Sequence, residues 1–278
     1  MSDSLQSAIQ ASAVRQELPT GGSGDCISLS DVAEIAIRHH QSGHVVEAEA
    51  LKMGIHPQRY LRNMNDISAA SQVQLLESSV AQVGLGGLGG SLLEIFLRTG
   101  IGRIRGADGD VFEESNLNRQ ALSSPSNLGI SKAHAARDRA QAINPSVDFA
   151  AQDTFLDDKS LPEFLNGCDI AIDALGGLDM RRSLQQAATD AGIPLVTGAL
   201  AGWTGYVGVV MPGQTGPADI MGINNAAEEA LGCPAAAVTC IASIMATETI
   251  KTLTQASSLK GKMLIIDLKS LSFETIII

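Results

Sequence analysis

The chain has 278 residues, 45% of them hydrophobic and only 3% aromatic, enough for one large α/β domain with a modest extension and a core of Leu, Ile, Val, Ala and Met. Its net charge of −11 opposes a polyphosphate backbone and argues against a nucleic acid partner. No charged-then-apolar leader and no membrane-length apolar run are present, and Cys26, Cys168, Cys233 and Cys240 lack Cys-x-x-Cys spacing, so a soluble, cytoplasmic protein with reduced thiols and no membrane partner is expected.

Residues 1–25 are polar and end in Thr20-Gly21-Gly22-Ser23-Gly24, which reads as a flexible lead-in. Ser30-Asp31 then marks a helix start, and the apolar spacing of Val32, Ile35 and Ala36, followed by Val45 to Met53, predicts one or two amphipathic helices. Residues 1–55 are therefore expected to be an N-terminal helical extension to a unit spanning 56–278. From residue 78 the pattern alternates. Strands are predicted at 79–83, 102–108, 147–151, 169–173, 194–197 and 206–211, with helices at 88–99, 131–142, 159–166 and 179–191 between most of them. Such alternation predicts an α/β fold with a Rossmann-like, doubly wound, mostly parallel sheet and helices on both faces. After Met211 the order breaks into a long apolar helix at 235–254 and a C-terminal antiparallel hairpin, 262–268 and 271–277.

The first strand of that unit runs directly into Gly84-Leu85-Gly86-Gly87-Leu88-Gly89-Gly90, which opens a helix. Glycines there let phosphate oxygens approach the backbone, and the helix N-terminus supplies free N–H groups and a partial positive charge. After the second strand comes Asp108-Gly109-Asp110, where a carboxylate can take ribose hydroxyls. The pattern suits NAD, FAD or ATP equally. Ser115-Asn116-Leu117-Asn118-Arg119-Gln120 and Gly129-Ile130-Ser131-Lys132 are more specific: two cations flanking a phosphate cradle suit a phosphoryl centre that gains charge.

On these motifs, together with Arg59-Tyr60-Leu61-Arg62, Ile143-Asn144-Pro145, Gly192-Ile193-Pro194, the stretch from Gly198 to Gly205 and Glu248-Thr249-Ile250-Lys251, the chain resembles the ThiF/MoeB/HesA family, the bacterial relatives of ubiquitin-activating enzymes, over residues 59–278. The resemblance implies that Gly84, Gly86, Gly87 and Gly89 cradle ATP, that Asp108, with Asp110 beside it, holds the ribose, and that Asn116, Arg119 and Lys132 contact the phosphates. Arg62 matches an arginine that reaches into the neighbouring subunit's site, which implies a homodimer. The implied reaction is attack of a C-terminal Gly-Gly carboxylate of a small ubiquitin-like sulfur-carrier protein on the α-phosphate, with Arg119, Lys132 and Arg62 as catalytic residues.

Three departures from the family pattern stand out. Members carry a magnesium-binding Asp three residues after the position of Asp173; this chain has Gly176, and Asp179 would have to reach Mg²⁺ instead. A weakened paralogue that binds ATP or the carrier without efficient turnover is the alternative reading. The two Cys-x-x-Cys pairs that hold zinc in many relatives are missing, so no zinc site is expected. Cys233, near the start of the long helix, lies close to where thioester-forming relatives place their nucleophile, although a small buried thiol is the plainer reading. An NAD-dependent oxidoreductase has no need of the two cations, and activation of a tRNA base is disfavoured by the net charge.

Overall fold

The computed structural model describes residues 4–177, 180–220 and 230–278. The N-terminal extension comprises α1 (Leu5–Ser12), β1 (Val14–Glu17), β2 (Ser23–Ile27), α2 (Leu29–His39), α3 (Gly43–Lys52) and β3 (His56–Pro57). The expected flexible lead-in is thus a capped helix followed by a hairpin. Ser4 accepts a hydrogen bond from the Ser7 N–H at 3.1 Å, and α1 buries Ala8 and Ile9. The glycine-rich stretch is the hairpin turn, closed by Leu18 N–H donating to Gly22 O at 3.0 Å. Composition pointed to a linker because turns and linkers share residue types. A separate apolar cluster, including Ile9, Ile27, Val32, Ile35, Val46 and Ile55, holds the extension together. Its third strand, His56–Pro57, pairs parallel to Cys26 and Ile27 and lies beyond residue 55, the expected boundary.

A 3₁₀ helix (Gln58–Asn63) and α4 (Ala69–Glu77) lead into the main unit: β4 (Ser79–Val83), α5 (Gly87–Thr99), β5 (Arg103–Ala107), α6 (Lys132–Ile143), β6 (Asp148–Gln152), α7 (Leu161–Leu165), β7 (Ile170–Asp173), α8 (Arg181–Asp190), β8 (Leu195–Ala201), β9 (Thr204–Val210), α9 (Pro217–Ile220), α10 (Ala235–Leu253), β10 (Lys262–Asp267) and β11 (Ser272–Ile277). These bounds lie close to those expected from apolar periodicity. The eight strands run in the order β11-β10-β9-β8-β7-β4-β5-β6. Strands β8, β7, β4, β5 and β6 are parallel, and β9, β10 and β11 extend the sheet antiparallel. Strand order reverses at β4, the place where doubly wound sheets open a ligand crevice.

Helices α5, α6 and α10 cover one face through Leu92, Phe96, Ala136, Ile241 and Met245. Helices α7 and α8 cover the other through Leu161, Phe164, Leu165 and Leu184. Helix α10 is long and apolar enough to cross a membrane by length and composition. In the fold it is a core helix packed on α5, β8 and β9. Burial pushes its Glu248 carboxyl up, but hydrogen bonds from Lys251, Ser257, Ser258 and the Leu259 N–H outweigh that and hold it below its usual range.

The extension is docked by polar contacts of α3. His44 N–H donates to Ser146 O at 2.8 Å, and its ring nitrogens lie 2.8 Å from Leu76 O and 3.2 Å from Asp148 Oδ2. Buried Glu47 accepts from Tyr60 Oη at 3.1 Å, and Tyr60 Oη accepts from Asn144 Nδ2 at the same distance. Asn144 also donates to Leu97 O, so this chain of bonds joins α3 to the C-terminal ends of α5 and α6.

Candidate active site

Strand β4 ends at Val83, and the chain turns through Gly84-Leu85-Gly86 into α5. Two glycines are required by the geometry. Gly84 has φ +99°, and a Cβ there would lie 2.3 Å from Ala174 O in the loop after β7. A Cβ on Gly89 would lie 2.0 Å from Gly84 O. The turn is therefore wound tightly against its own helix and the neighbouring strand end. Gly86 and Gly87 instead face a crevice of about 370 Å³ between the ends of β4, β5 and β7.

Part of the crevice lining is polar. Asp108, just past β5, accepts from Leu85 N–H at 2.8 Å and from Asp110 N–H at 3.0 Å, so its carboxylate staples the glycine turn to the second strand end. Lys132 opens α6 with its side chain only 8% exposed, and its Nζ donates to Asp110 Oδ2 at 3.0 Å. Arg119 Nη1 donates to Ser115 O at 3.1 Å and to Asn118 Oδ1 at 2.9 Å, within its own turn. Buried Gln120 packs over Gly86, and its Oε1 has no hydrogen-bond partner among the described residues. The lining is also apolar in part, through Val83, Ala107, Phe155, Leu156, Leu161 and Leu175, with Phe155 packed against Gly109 between the two aspartates. The polar groups suit a phosphate chain and the apolar ones a flat heterocyclic base.

The wall after β7 is held from beneath. Buried Arg181 pairs with buried Asp173, Nη1 to Oδ2 at 2.6 Å, and donates to Gly177 O and Leu175 O, both at 2.7 Å. Thr197 Oγ1 also donates to Asp173 Oδ2 at 2.7 Å. That carboxylate is committed to the scaffold. Gly176 lines the crevice with open space around its Cα, so a larger side chain would fit. The carboxylates lining the crevice among the described residues are Asp108 and Asp110. Mg²⁺ retains waters and phosphate oxygens and needs only one or two carboxylates, so these residues fit a metal carried chiefly by the nucleotide.

Of the residues expected from the sequence, Gly84, Gly86, Gly87, Asp108, Asp110, Arg119, Lys132, Gly176 and Cys233 line this one crevice. Gly89 lies buried under the turn. Asn116 is not among the lining residues; its Oδ1 accepts from Glu113 N–H at 3.1 Å and caps its own turn. Arg62, exposed on the 3₁₀ helix, does not line the crevice of its own chain either. Asp179 lies outside the described residues. Cys233 is half-buried in the crevice wall, just before α10, and Cys240 is half-buried on that helix; none of the four cysteines is in a disulfide.

The ThiF family model matches residues 60–278, well over half of the chain. The chain belongs to the ThiF family. With it the protein joins the E1-like adenylyltransferases of the ThiF and MoeB type. It is 31% identical to the SAMP-activating enzyme E1 of Haloferax volcanii over 231 residues, 78% of this chain and 84% of that protein. It is 35% identical to the sulfur carrier protein adenylyltransferase of Thermus thermophilus over 165 residues, 57% of this chain and 61% of that protein. The match thus spans less than two thirds of the Thermus relative. Among solved structures, Escherichia coli MccB with ATP aligns with a TM-score of 0.69 at 20% identity, covering 79% of this chain and 70% of that one; this likeness speaks to the fold.

Sequence reasoning missed Gln120, Phe155 and Arg181 at this ThiF-family site. Phe155 left a usable signal, being a lone aromatic in the loop after the third parallel strand of an aromatic-poor chain. Arg181 left none: eight residues separate it from Asp173, and only the fold shows that the two meet in the interior.

Proposed function

We propose that this protein uses ATP to adenylate the C-terminal carboxylate of a small ubiquitin-like or sulfur-carrier protein, or of a similar peptide. The observation that carries this reading is the gathering of Arg119 and Lys132 with the Gly84–Gly87 turn in one crevice that also has apolar lining. Its relatives support it: the Thermus protein is a sulfur carrier protein adenylyltransferase, and MccB is solved in complex with N-formylated MccA.

In this reading the base packs on the apolar lining near Phe155, and the triphosphate lies along the turn and the α5 N-terminus. A carboxylate oxygen of the carrier attacks the α-phosphorus, and the bond from that phosphorus to the bridging oxygen of the β-phosphate breaks. Acyl-adenylate and pyrophosphate result. Arg119 and Lys132 offset the charge that builds on the non-bridging and leaving oxygens, where one such contact is typically worth about 3–4 kcal/mol. Mg²⁺ would be held mainly by phosphate oxygens, with Asp108 nearby, and would neutralise charge on the departing pyrophosphate. Arg62 would act across a homodimer interface. Four unbridged thiols agree with a reducing, cytoplasmic setting.

Gly176 supports a second reading, a paralogue that binds nucleotide and carrier but turns over slowly. ATP–pyrophosphate exchange with carriers ending in Gly-Gly separates the two. Exchange supports adenylation, and nucleotide binding without exchange for any carrier supports the second reading.

A further inference from the structure

Taking ATP use at this crevice as its basis, we infer that Asp110 is a displaceable counter-anion: it holds the Lys132 ammonium before nucleotide binds, yields it to the phosphates, and takes it back as pyrophosphate leaves.

Asp110 grips Lys132 at both ends. Its backbone oxygen accepts from the Lys132 N–H at 2.9 Å, and its Oδ2 accepts from Nζ at 3.0 Å. The Lys132 side chain is 8% exposed and that of Asp110 is 54% exposed, so the lysine is sheltered while its partner stands more open in the crevice that both line. A sheltered ammonium without a counter-charge is costly, and Asp110 supplies that charge. The backbone of Asp110 is held in place, since its N–H is bonded to Asp108 and Asp108 is bonded to the glycine turn.

A triphosphate presents more charge and more acceptor oxygens than one carboxylate, so it wins the ammonium through charge-assisted hydrogen bonds. Asp110 is then left facing like charge in a partly dry cleft, where repulsion is felt strongly. Every ligand that needs Lys132 therefore binds against this competitor. The loss falls on substrate and on pyrophosphate alike, so Asp110 trades ground-state affinity for product release. A carboxylate that only braced α6 or took the ribose would make the opposite prediction, because removing it would weaken binding or leave it unchanged.

The test is calorimetry on the full chain with a non-hydrolysable ATP analogue and with inorganic pyrophosphate, comparing wild type, Asp110→Asn, Lys132→Met and the double variant. Asp110→Asn is expected to bind both ligands on the order of tenfold more tightly, and most of that gain should vanish in the Lys132→Met background. Pyrophosphate should also inhibit exchange at correspondingly lower concentration in Asp110→Asn. Unchanged or weaker binding in a variant whose circular dichroism and Tm match wild type overturns the inference and leaves ATP use standing. Wild type that takes up neither ligand overturns both. Should Asp110→Asn fold poorly, Asp110→Ser removes the same charge and carries the same expectation.

Discussion

Glu47 offers a test of how the extension is joined to the nucleotide-binding unit. It is 1% exposed on α3, and burial pushes its carboxyl from an ordinary 4.5 to about 7; Arg59 nearby and hydrogen bonds from Tyr60 and Ser146 offset only part of that. Between those two values the folded chain keeps a proton that the unfolded chain has lost, so stability falls as pH rises and levels off above about 7. At about 1.4 kcal/mol per pH unit, the whole loss is about 3 kcal/mol. Glu47→Gln keeps an acceptor for Tyr60 Oη and removes the titration. Urea unfolding from about pH 5 to about pH 8 should therefore show the variant gaining about 2–3 kcal/mol on wild type across that span. Curves that stay parallel across the range would falsify the buried-proton account. A variant less stable than wild type at the alkaline end would do the same.

Other substitutions probe the crevice itself. Gly89→Ala puts a Cβ 2.0 Å from Gly84 O, so the turn must open; nucleotide affinity measured by calorimetry should fall at least tenfold, and an unchanged Kd would show that the turn is not the cradle. Arg119→Ala or Lys132→Ala should each lower ATP–pyrophosphate exchange by about 10²–10³-fold with circular dichroism unaltered, and a loss below threefold would remove that residue from the chemistry. Gly176→Asp finds open space; it should raise exchange most at limiting Mg²⁺, and a lower rate at every Mg²⁺ concentration would count against a missing metal carboxylate.

The sequence made the sheet legible because its strands are short, apolar and separated by amphipathic helices, so period and length both identified them. The glycine turn was legible for a different reason: Gly84 and Gly89 sit where a side chain would strike backbone, and such a need writes itself into residue type. The hairpin of the extension was not legible, because Thr20 to Gly24 reads equally as turn or linker until β1 and β2 are seen to pair. Contacts between elements were harder still. Asn116 was expected at the phosphates, yet its side chain caps Glu113, and Asn performs both tasks from the same position in a loop. Asp110 was expected near the ribose, and its link to Lys132 depends on how the start of α6 meets the end of β5.

Arg181 shows what such hidden contacts do for function. It sits behind the crevice wall and ties Asp173 to the carbonyls of Leu175 and Gly177. That loop presses Ala174 O against Gly84, so the glycine turn and the loop brace one another. Arg181→Ala leaves Asp173 1% exposed without its cation, a change that typically costs about 3–5 kcal/mol. Asp173→Asn with Arg181→Met removes both charges and should recover much of the stability. The brace would not return with it, since Met donates no hydrogen bond to the carbonyls of Leu175 and Gly177. Nucleotide affinity should then stay low in the double variant even where its urea midpoint approaches wild type. If affinity recovers in step with stability, Arg181 serves the fold and has no separate hold on the site.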